Sequence, residues 1–376
     1  GIHIVKRLTT LLFVTIIIVI LYGQIEYTIA PYSTWDLAGY RRMAAAAPAI
    51  ATDICQPAAF RVLGPWLAGL LPVPDPVAFY ALAVLMSIVL VLLSYHFFRV
   101  AGLAPAVAVI VVILYTFNRW WFGTTVWDYF QLNDLLSQIW IVLLFLAMLQ
   151  GRWAIFGVVF LLAALTRETG MLMIPVAAVY LWERKELRQQ GPLALAAIAP
   201  GVALFVALRM VIPAPCGKPL FEQLLAHSGS ILSPVKVARL LINSYLPFSL
   251  LPFVFFNDTI RYFRGKAYAL VFVTLVFLST LFGLAYDERL LAPSFVVIYA
   301  LIGSVIQANW REKWFVALLV IAGFLSTFHH LRARFPLPDR DLTLVLSLGA
   351  LALVTAASIA IRWRARTTGG RAAPET

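Results

Sequence analysis

Residues 77–98 read VAFYALAVLMSIVLVLLSYHFF, a run that contains no Asp, Glu, Lys or Arg. A helix needs about 20 apolar residues to cross the hydrocarbon core of a bilayer, so this run predicts a transmembrane helix. Similar runs lie on both sides of it, at residues 8–25, 104–117, 135–150, 193–212, 246–256, 267–284, 291–306, 314–328 and 342–361. Two shorter runs, 154–165 and 171–182, predict a hairpin whose tip lies at residues 166–170.

The composition excludes an ordinary soluble protein. Hydrophobic residues make up 62% of the chain and charged residues only 12%, which is too little charge to cover a water-exposed surface. The apolar runs lack the alternation of barrel strands, and a helix satisfies its own backbone hydrogen bonds in lipid. We therefore predict an all-α, polytopic membrane protein of about 12 transmembrane helices. Residues 1–366 form one transmembrane domain, and residues 367–376 form a polar tail.

The charges predict how the chain is oriented. The net charge is +12, and we interpret it as the Lys and Arg excess of cytoplasmic loops rather than as a nucleic-acid surface. The first helix follows a basic start and is long enough to be retained as a membrane span. Counting alternate loops places both termini on the cytoplasmic side of the plasma (inner) membrane. Most of the 17 acidic residues then fall on the periplasmic or extracellular side.

A long outer segment, residues 26–76, follows the first helix and predicts two interfacial helices. Asp36 begins the first of these, and Tyr40 and Met43 share its helical face at spacings of four and three. One interpretation is that Asp36 caps a helix lying on the membrane surface. The other is that Asp36 is a general base at the membrane surface and that Tyr40 contacts the substrate.

Arg61 lies in the segment Phe60-Arg61-Val62-Leu63-Gly64-Pro65, which opens the second interfacial helix. Its guanidinium can extend to lipid headgroups, or it can bind a phosphate through its planar fork. Eight outer aromatic residues in this and later loops fit an interfacial belt: Tyr32, Trp35, Tyr40, Trp66, Trp120, Trp121, Trp127 and Tyr129.

Charged residues recur at three further places on the predicted outer side. Arg167 and Glu168 lie at the hairpin tip between two apolar runs, where they bind substrate or pair with partners that hold helices together. Asp287-Glu288-Arg289 lies in a turn before a late helix and is either solvated or part of the site. Asp128 and Asp134 are secondary candidates, and Asp134 can instead cap the next helix.

These features together resemble the GT-C superfamily of integral-membrane glycosyltransferases. The resemblance rests on an Asp soon after the first helix, a long first outer loop, the Ala-Leu-Thr-Arg-Glu hairpin and the acidic-Arg turn. It covers most of the chain, although each motif is short. The pattern is similar to bacterial mannosyl- and arabinosyltransferases that use polyprenyl-phosphate sugars. Those enzymes usually carry the catalytic acid nearer the first helix, and many have a C-terminal soluble domain that we do not find in this sequence.

The resemblance implies an inverting transfer of a hexose or pentose from a polyprenyl phosphate to a glycan, lipid or protein acceptor. It implies that Asp36 takes the acceptor proton and that Arg61, Arg167 and Arg289 stabilise the departing phosphate. Glu168, Asp287 and Glu288 then orient those arginines or the sugar hydroxyls. The donor is itself a substrate, so we expect no cofactor.

Two alternatives remain: a lipid-linked sugar flippase or other transporter, and a ligase or acyltransferase of envelope polymers. The collection of acidic residues on one side favours an enzyme, because a flippase needs a polar path through both leaflets. We expect no bound metal, since Asp339-Arg340-Asp341 and His329-His330 lack further ligands nearby. Cys55 and Cys216 are the two cysteines, and both fall in outer loops, where they can form a disulfide.

Overall fold

The described part of the chain, in a computed structural model, comprises residues 2–22, 36–213, 216, 233–282, 288–327 and 340–369. Every regular element in these residues is helical. The α-helices are α1 (Ile2–Tyr22), α2 (Leu37–Ala46), α3 (Leu63–Gly69), α4 (Asp75–Val100), α5 (Pro105–Thr116), α6 (Thr124–Trp127), α7 (Leu132–Leu149), α8 (Trp153–Thr166), α9 (Met173–Glu183), α10 (Leu187–Val211), α11 (Pro234–Asn243), α12 (Leu251–Val254), α13 (Phe256–Phe263), α14 (Ala267–Leu281), α15 (Phe295–Ala308), α16 (Lys313–Leu325) and α17 (Arg340–Gly369). Shorter turns are the 3-10 helices Ala58–Phe60, Glu168–Leu172 and Glu288–Ser294, and the π-helix Arg119–Gly123.

Long apolar helices make this a multi-pass membrane protein. Within the described residues, six segments are long and apolar enough to cross a membrane: Val5–Tyr22, Asp75–Val100, Leu132–Leu149, Leu187–Val211, Glu288–Ala308 and Leu342–Arg364. The number rises to 8 if each of two sharply bent pairs, α5 with the Arg119–Trp127 segment and α13 with α14, is one span. The helices α8 and α16 are apolar but shorter. The all-helical membrane fold is confirmed, whereas the predicted count of about 12 spans is not.

Most predicted helix bounds agree with the structure to within a few residues, because strong local signals mark the ends. The helix α4 has Asp75 in its first turn, Pro76 beside it and Arg99 in its last turn. Proline suits the first turn, which lacks hydrogen-bond partners for its N–H groups, and the two charges complement the helix dipole.

The prediction of one continuous helix at residues 246–256 was wrong. The short α12 ends at Val254, and α13 begins at Phe256 and continues to Phe263. Pro247 and Pro252 fall within the predicted range. A proline disrupts a helix interior but suits a first turn, so no regular helix runs through both prolines and the short helix begins beside Pro252; its end at Phe255 has no proline nearby to explain it.

The helix α7 is the most buried of the long spans and packs against both α4 and α8. The helix α8 in turn packs closely on α10. A Cβ atom on Gly157 would lie 3.0 Å from the Ala197 carbonyl oxygen, and one on Gly201 would lie 2.4 Å from the Phe160 ring. Small residues at these positions let the helix backbones approach, which is the usual basis of helix association in lipid.

The described residues 36–74 pack on one end of the spans, where α3 contacts α4, α7 and α8. Cys55 and Cys216 form a disulfide with their Cα atoms 4.7 Å apart, and Gln56 N donates to Cys216 O at 3.1 Å. The sequence left open whether these cysteines pair; the structure pairs them, and the bond ties the first loop to the chain that follows α10.

Several of the predicted belt aromatics lie inside the protein instead. Tyr40 and Trp121 have no exposed surface and Tyr129 has 1%. Tyr80 and Tyr129 make an edge contact, and both belong to a second apolar cluster beneath α2 and α3. These residues therefore pack the loops onto the spans. Tyr32 and Trp35 lie outside the described residues.

Candidate functional site

Asp36 stands immediately before α2 and points toward Arg61. No hydrogen bond from its side chain caps α2, so the capping interpretation is wrong. The Asp36 Oδ2 atom lies 3.6 Å from Arg61 Nη1, and the Asp36 side chain keeps 27% of its surface exposed. A carboxylate held by an arginine but still accessible can accept a proton from a ligand hydroxyl.

Arg61 connects two carboxylates. Its Nη2 atom lies 3.4 Å from Glu168 Oε2, and Glu168 Oε1 accepts a hydrogen bond from Arg209 Nη2 at 3.1 Å. Asp36, Arg61, Glu168 and Arg209 therefore form a continuous chain of ion pairs, which we call the Glu168 arm. It joins the start of α2, the loop before α3, the turn after α8 and the last turn of α10.

A second set of ion pairs is centred on Asp134 in the first turn of α7. Arg167 donates a hydrogen bond to Asp134 Oδ1, and Arg289 Nη1 lies 3.7 Å from Asp134 Oδ2. The Asp134 side chain is only 4% exposed. These three residues form the Asp134 arm. A carboxylate so deeply buried needs both cations, because an unpaired charge in this environment costs several kcal/mol.

Arg167 and Glu168 are adjacent but belong to different arms, and the local backbone explains this. The helix α8 ends at Thr166, and Arg167 is fully extended with φ −166° and ψ 151°. Successive side chains of extended backbone point in opposite directions. The hairpin tip predicted from the sequence therefore links the two arms, and Arg61 also lies within electrostatic range of Asp134.

Asn133 holds the loop that carries Arg61. Its Nδ2 atom donates to Arg61 O at 2.9 Å, and its Oδ1 atom accepts from Gly64 N at 3.0 Å. A Cβ atom on Gly64 would lie 2.8 Å from Asn133 Oδ1, so only glycine permits this approach. The first turn of α7 thus positions the Arg61 backbone through Asn133 and two further guanidiniums through Asp134.

The surrounding charges set the protonation of two groups outside the spans. Burial raises the pKa of the Tyr40 phenol; Arg61 opposes this, and Asp36 and Asp134 reinforce it. Burial also favours the neutral form of Glu168, but Arg61 and the other nearby donors hold the pKa of its carboxyl below the usual range. Tyr40 is therefore a neutral phenol at neutral pH, and Glu168 is a carboxylate.

The structure does not bring every predicted residue into the two arms. Glu288 is buried and turns away: its carboxylate accepts hydrogen bonds from Arg239 Nε at 2.6 Å and Asn243 Nδ2 at 2.7 Å, both on α11. Asp128 is buried directly after α6. Asp287 lies outside the described residues.

Arg209 is a site residue that the sequence reasoning missed. Its guanidinium lies 4.7 Å from the Phe60 ring centre and 3.5 Å from that of Phe205. Residue 209 falls within the predicted apolar helix 193–212, where a single cation near the helix end gives no signal of a site. The nearby Cys216, once paired with Cys55, is the signal that places this helix end beside the first loop.

The two arms offer four guanidiniums and three carboxylates. Among the carboxylates, Asp36 and Glu168 are partly exposed, at 27% and 39%. Within the described residues, no group of three or more His, Cys, Asp and Glu side chains is placed to hold a metal ion. The arrangement provides an accessible base beside a net positive charge, which suits a reaction that releases an anion.

Comparisons with known proteins give one structural likeness. No family model and no curated protein sequence matches the chain. The structure is similar to the crystal structure of ArnT from Cupriavidus metallidurans bound to undecaprenyl phosphate, with a TM-score of 0.51 and 12% sequence identity. The likeness covers 95% of this chain and 75% of the ArnT chain. The chain is therefore a multi-pass membrane protein, and it shares the fold of ArnT over most of its length.

Proposed function

We propose that the protein is an inverting glycosyltransferase that moves a sugar from a polyprenyl phosphate to an acceptor on the outer face of the plasma membrane. The observation that carries the proposal is the position of Asp36, an accessible carboxylate 3.6 Å from Arg61 at the edge of a cluster of four guanidiniums. The fold supports the same class of reaction, and the ArnT structure with that fold contains undecaprenyl phosphate.

In the proposed reaction, the acceptor hydroxyl loses its proton to Asp36 while its oxygen forms a bond to the anomeric carbon of the sugar. The bond between that carbon and the phosphate oxygen breaks, and its electron pair leaves with the polyprenyl phosphate. Attack opposite the leaving group inverts the anomeric configuration. General-base assistance of this kind contributes about 10²–10⁴ in rate.

The leaving phosphate is already anionic and needs positive charge rather than a proton. Arg167 and Arg289 each bind the buried Asp134, and Arg61 bridges two carboxylates. Arg209 contacts Glu168 and remains partly exposed. We therefore assign the direct phosphate contact to Arg209 and Arg61. Arg167 and Arg289, which are bound to the buried Asp134, add positive charge without touching the phosphate. Because these guanidiniums supply the charge, the proposed reaction uses no divalent metal.

Tyr40 and Glu168 complete the proposed site. Tyr40 lies one helical turn from Asp36, and its electrostatic neighbours are Arg61, Asp36 and Asp134. We propose that Tyr40 contacts the substrate and that Glu168 orients Arg61 and Arg209 or a sugar hydroxyl. Asp287 and Glu288 stay weaker candidates for contacts with the sugar or the arginines. For Glu288 the reason is that its carboxylate orients Arg239 in the structure.

The test begins with mass spectrometry of lipids that copurify with the protein. We expect a polyprenyl phosphate that carries a hexose or pentose. The purified protein is then incubated with this lipid and with candidate glycan, lipid and protein acceptors in the presence of EDTA, and we expect covalent transfer. Movement of the intact lipid across a vesicle membrane without transfer would instead support a flippase, and release of a polymer or acyl group would support a ligase or acyltransferase.

A further inference from the structure

A second polar site lies at the end of α7 that is opposite to the Glu168 and Asp134 arms. The helix α7 begins at the cluster with Asn133 and Asp134 and ends at Leu149, which lines a cavity of about 290 Å³. Its 18 residues correspond to roughly 27 Å at 1.5 Å per residue. This length is close to the thickness of the hydrocarbon core, so the cavity faces the other membrane surface.

The cavity combines aromatic walls with two cations. Its lining includes Tyr180 and Arg184 from the end of α9 and Lys266 and Tyr268 from the start of α14. Tyr180 and Tyr268 make an edge contact with ring centres 5.3 Å apart. The remaining lining residues are Leu149, Glu183 and Gly265.

The acidic residues near the cavity are already engaged. The Glu183 carboxylate accepts hydrogen bonds from the backbone N–H groups of Ala267 and Tyr268 at 2.8 and 3.3 Å. It therefore caps α14, and the helix dipole compensates its charge. Glu186 accepts hydrogen bonds from Arg184 Nε at 3.2 Å and from Gln190 at 2.7 Å.

The cations retain binding capacity. Arg184 donates from Nε to Glu186 and from Nη1 to Tyr180 Oη at 2.8 Å, so its Nη2 group is the part of the guanidinium that can meet a ligand. The Lys266 ammonium lies 4.1 Å from the Tyr262 ring centre, and none of the ion pairs among the described residues includes it. A half-buried ammonium on a cavity wall gains most from an anionic ligand.

We infer that this cavity binds a phosphate group through Lys266 and Arg184, and that the phosphate belongs to the headgroup of an anionic phospholipid. Basic pockets between spans are a recurrent form of lipid recognition. The cavity volume of about 290 Å³ exceeds that of phosphate alone, which leaves room for part of a glycerol headgroup. The site is separate from the proposed transfer reaction and does not depend on it.

The experiment measures lipid binding to the full chain in detergent by native mass spectrometry. The probes are phosphatidylglycerol, phosphatidylcholine and inorganic phosphate. We expect phosphatidylglycerol to bind more tightly than phosphatidylcholine, and we expect Lys266→Gln to weaken its binding about fivefold, the effect of one basic residue near an anionic surface. Lys266→Arg should retain most of the affinity.

The matched control is Arg261→Gln, which removes a cation from the same end of the molecule. Arg261 is 76% exposed and pairs with Asp258 rather than with the cavity. Strong competition by inorganic phosphate would support the phosphate site but assign it to a soluble ligand. Equal binding of the two lipids, or an unchanged affinity in a Lys266→Gln protein of normal thermal stability, would overturn the inference.

Discussion

Replacement of Asn133 by alanine tests whether the first turn of α7 positions Arg61. The change removes both hydrogen bonds of a fully buried side chain, to Arg61 O and from Gly64 N. A buried polar group that loses its partner costs about 1–3 kcal/mol, so the two bonds together predict a loss of about 2–6 kcal/mol in stability. The loop that carries Arg61 should then move relative to Glu168, and a displacement near 1 Å costs about 10²-fold in rate.

The assay compares the thermal stability and the kcat of Asn133→Ala with those of the unchanged protein, using the donor lipid that copurifies. Ser87→Ala is the control, since Ser87 is fully buried in α4 and its hydroxyl makes no hydrogen bond within the described residues. We expect the control to keep normal stability and kcat. If Asn133→Ala has unchanged stability and unchanged kcat, Asn133 does not position Arg61.

Three further predictions concern the arms and the disulfide. Asp134→Asn should destabilise the protein by about 3–5 kcal/mol, because Arg167 and Arg289 would keep buried charges without their carboxylate; thermal unfolding measures the loss, and a change below about 1 kcal/mol would contradict it. Arg209→Ala should weaken the binding of polyprenyl phosphate at least tenfold and Arg209→Lys less, because a point charge replaces only part of a planar fork; equal binding by all three proteins would contradict the phosphate assignment. Cys55→Ser should lower stability by about 2–4 kcal/mol, as expected for the loss of a bridge that closes a long loop, and the unchanged protein should migrate faster without reductant than with it; identical mobility would refute the bridge.

The candidate residues easiest to find in the sequence are charges that lie next to or between apolar segments. Asp36, Arg61, Arg167 and Glu168 stand out because a charge near the membrane is costly and needs a reason. The structure joins Asp36, Arg61 and Glu168 by ion pairs, whereas Arg167 pairs with Asp134. Their roles in the reaction remain predictions.

Residues whose partners are distant in sequence could not be assigned from local pattern. Asp134 looks like a helix cap, and its role as the centre of an arm depends on Arg167 and Arg289 from other elements. Glu288 and Arg289 are neighbours in the chain but have different partners: Glu288 binds Arg239, and Arg289 pairs with Asp134. Only the path of the 3-10 turn at Glu288–Ser294 separates them, and a tight turn of that kind leaves little trace in composition.

The membrane class follows from composition, but the number of spans depends on bends that hydropathy does not show. The segment from α5 to Trp127 bends by 55° after Thr116, and α13 meets α14 at 109°. Asn118 accepts hydrogen bonds from the N–H groups of Trp120 and Trp121 and so starts a new helical turn. Such side-chain bonds compete with a continuous helix and divide a hydrophobic run into separate elements.

The most direct test of the whole account is sugar transfer by Asp36→Asn, measured against Asp75→Asn. Asp75 also pairs with an arginine, Arg41 at 2.6 Å, but lies outside both arms. We predict that Asp36→Asn lowers the transfer rate about 10²–10⁴-fold, the contribution of a general base. Its thermal stability and its binding of polyprenyl phosphate should stay normal, and the control should transfer normally. Transfer by Asp36→Asn at the rate of the unchanged protein would contradict the assignment of Asp36 as the base.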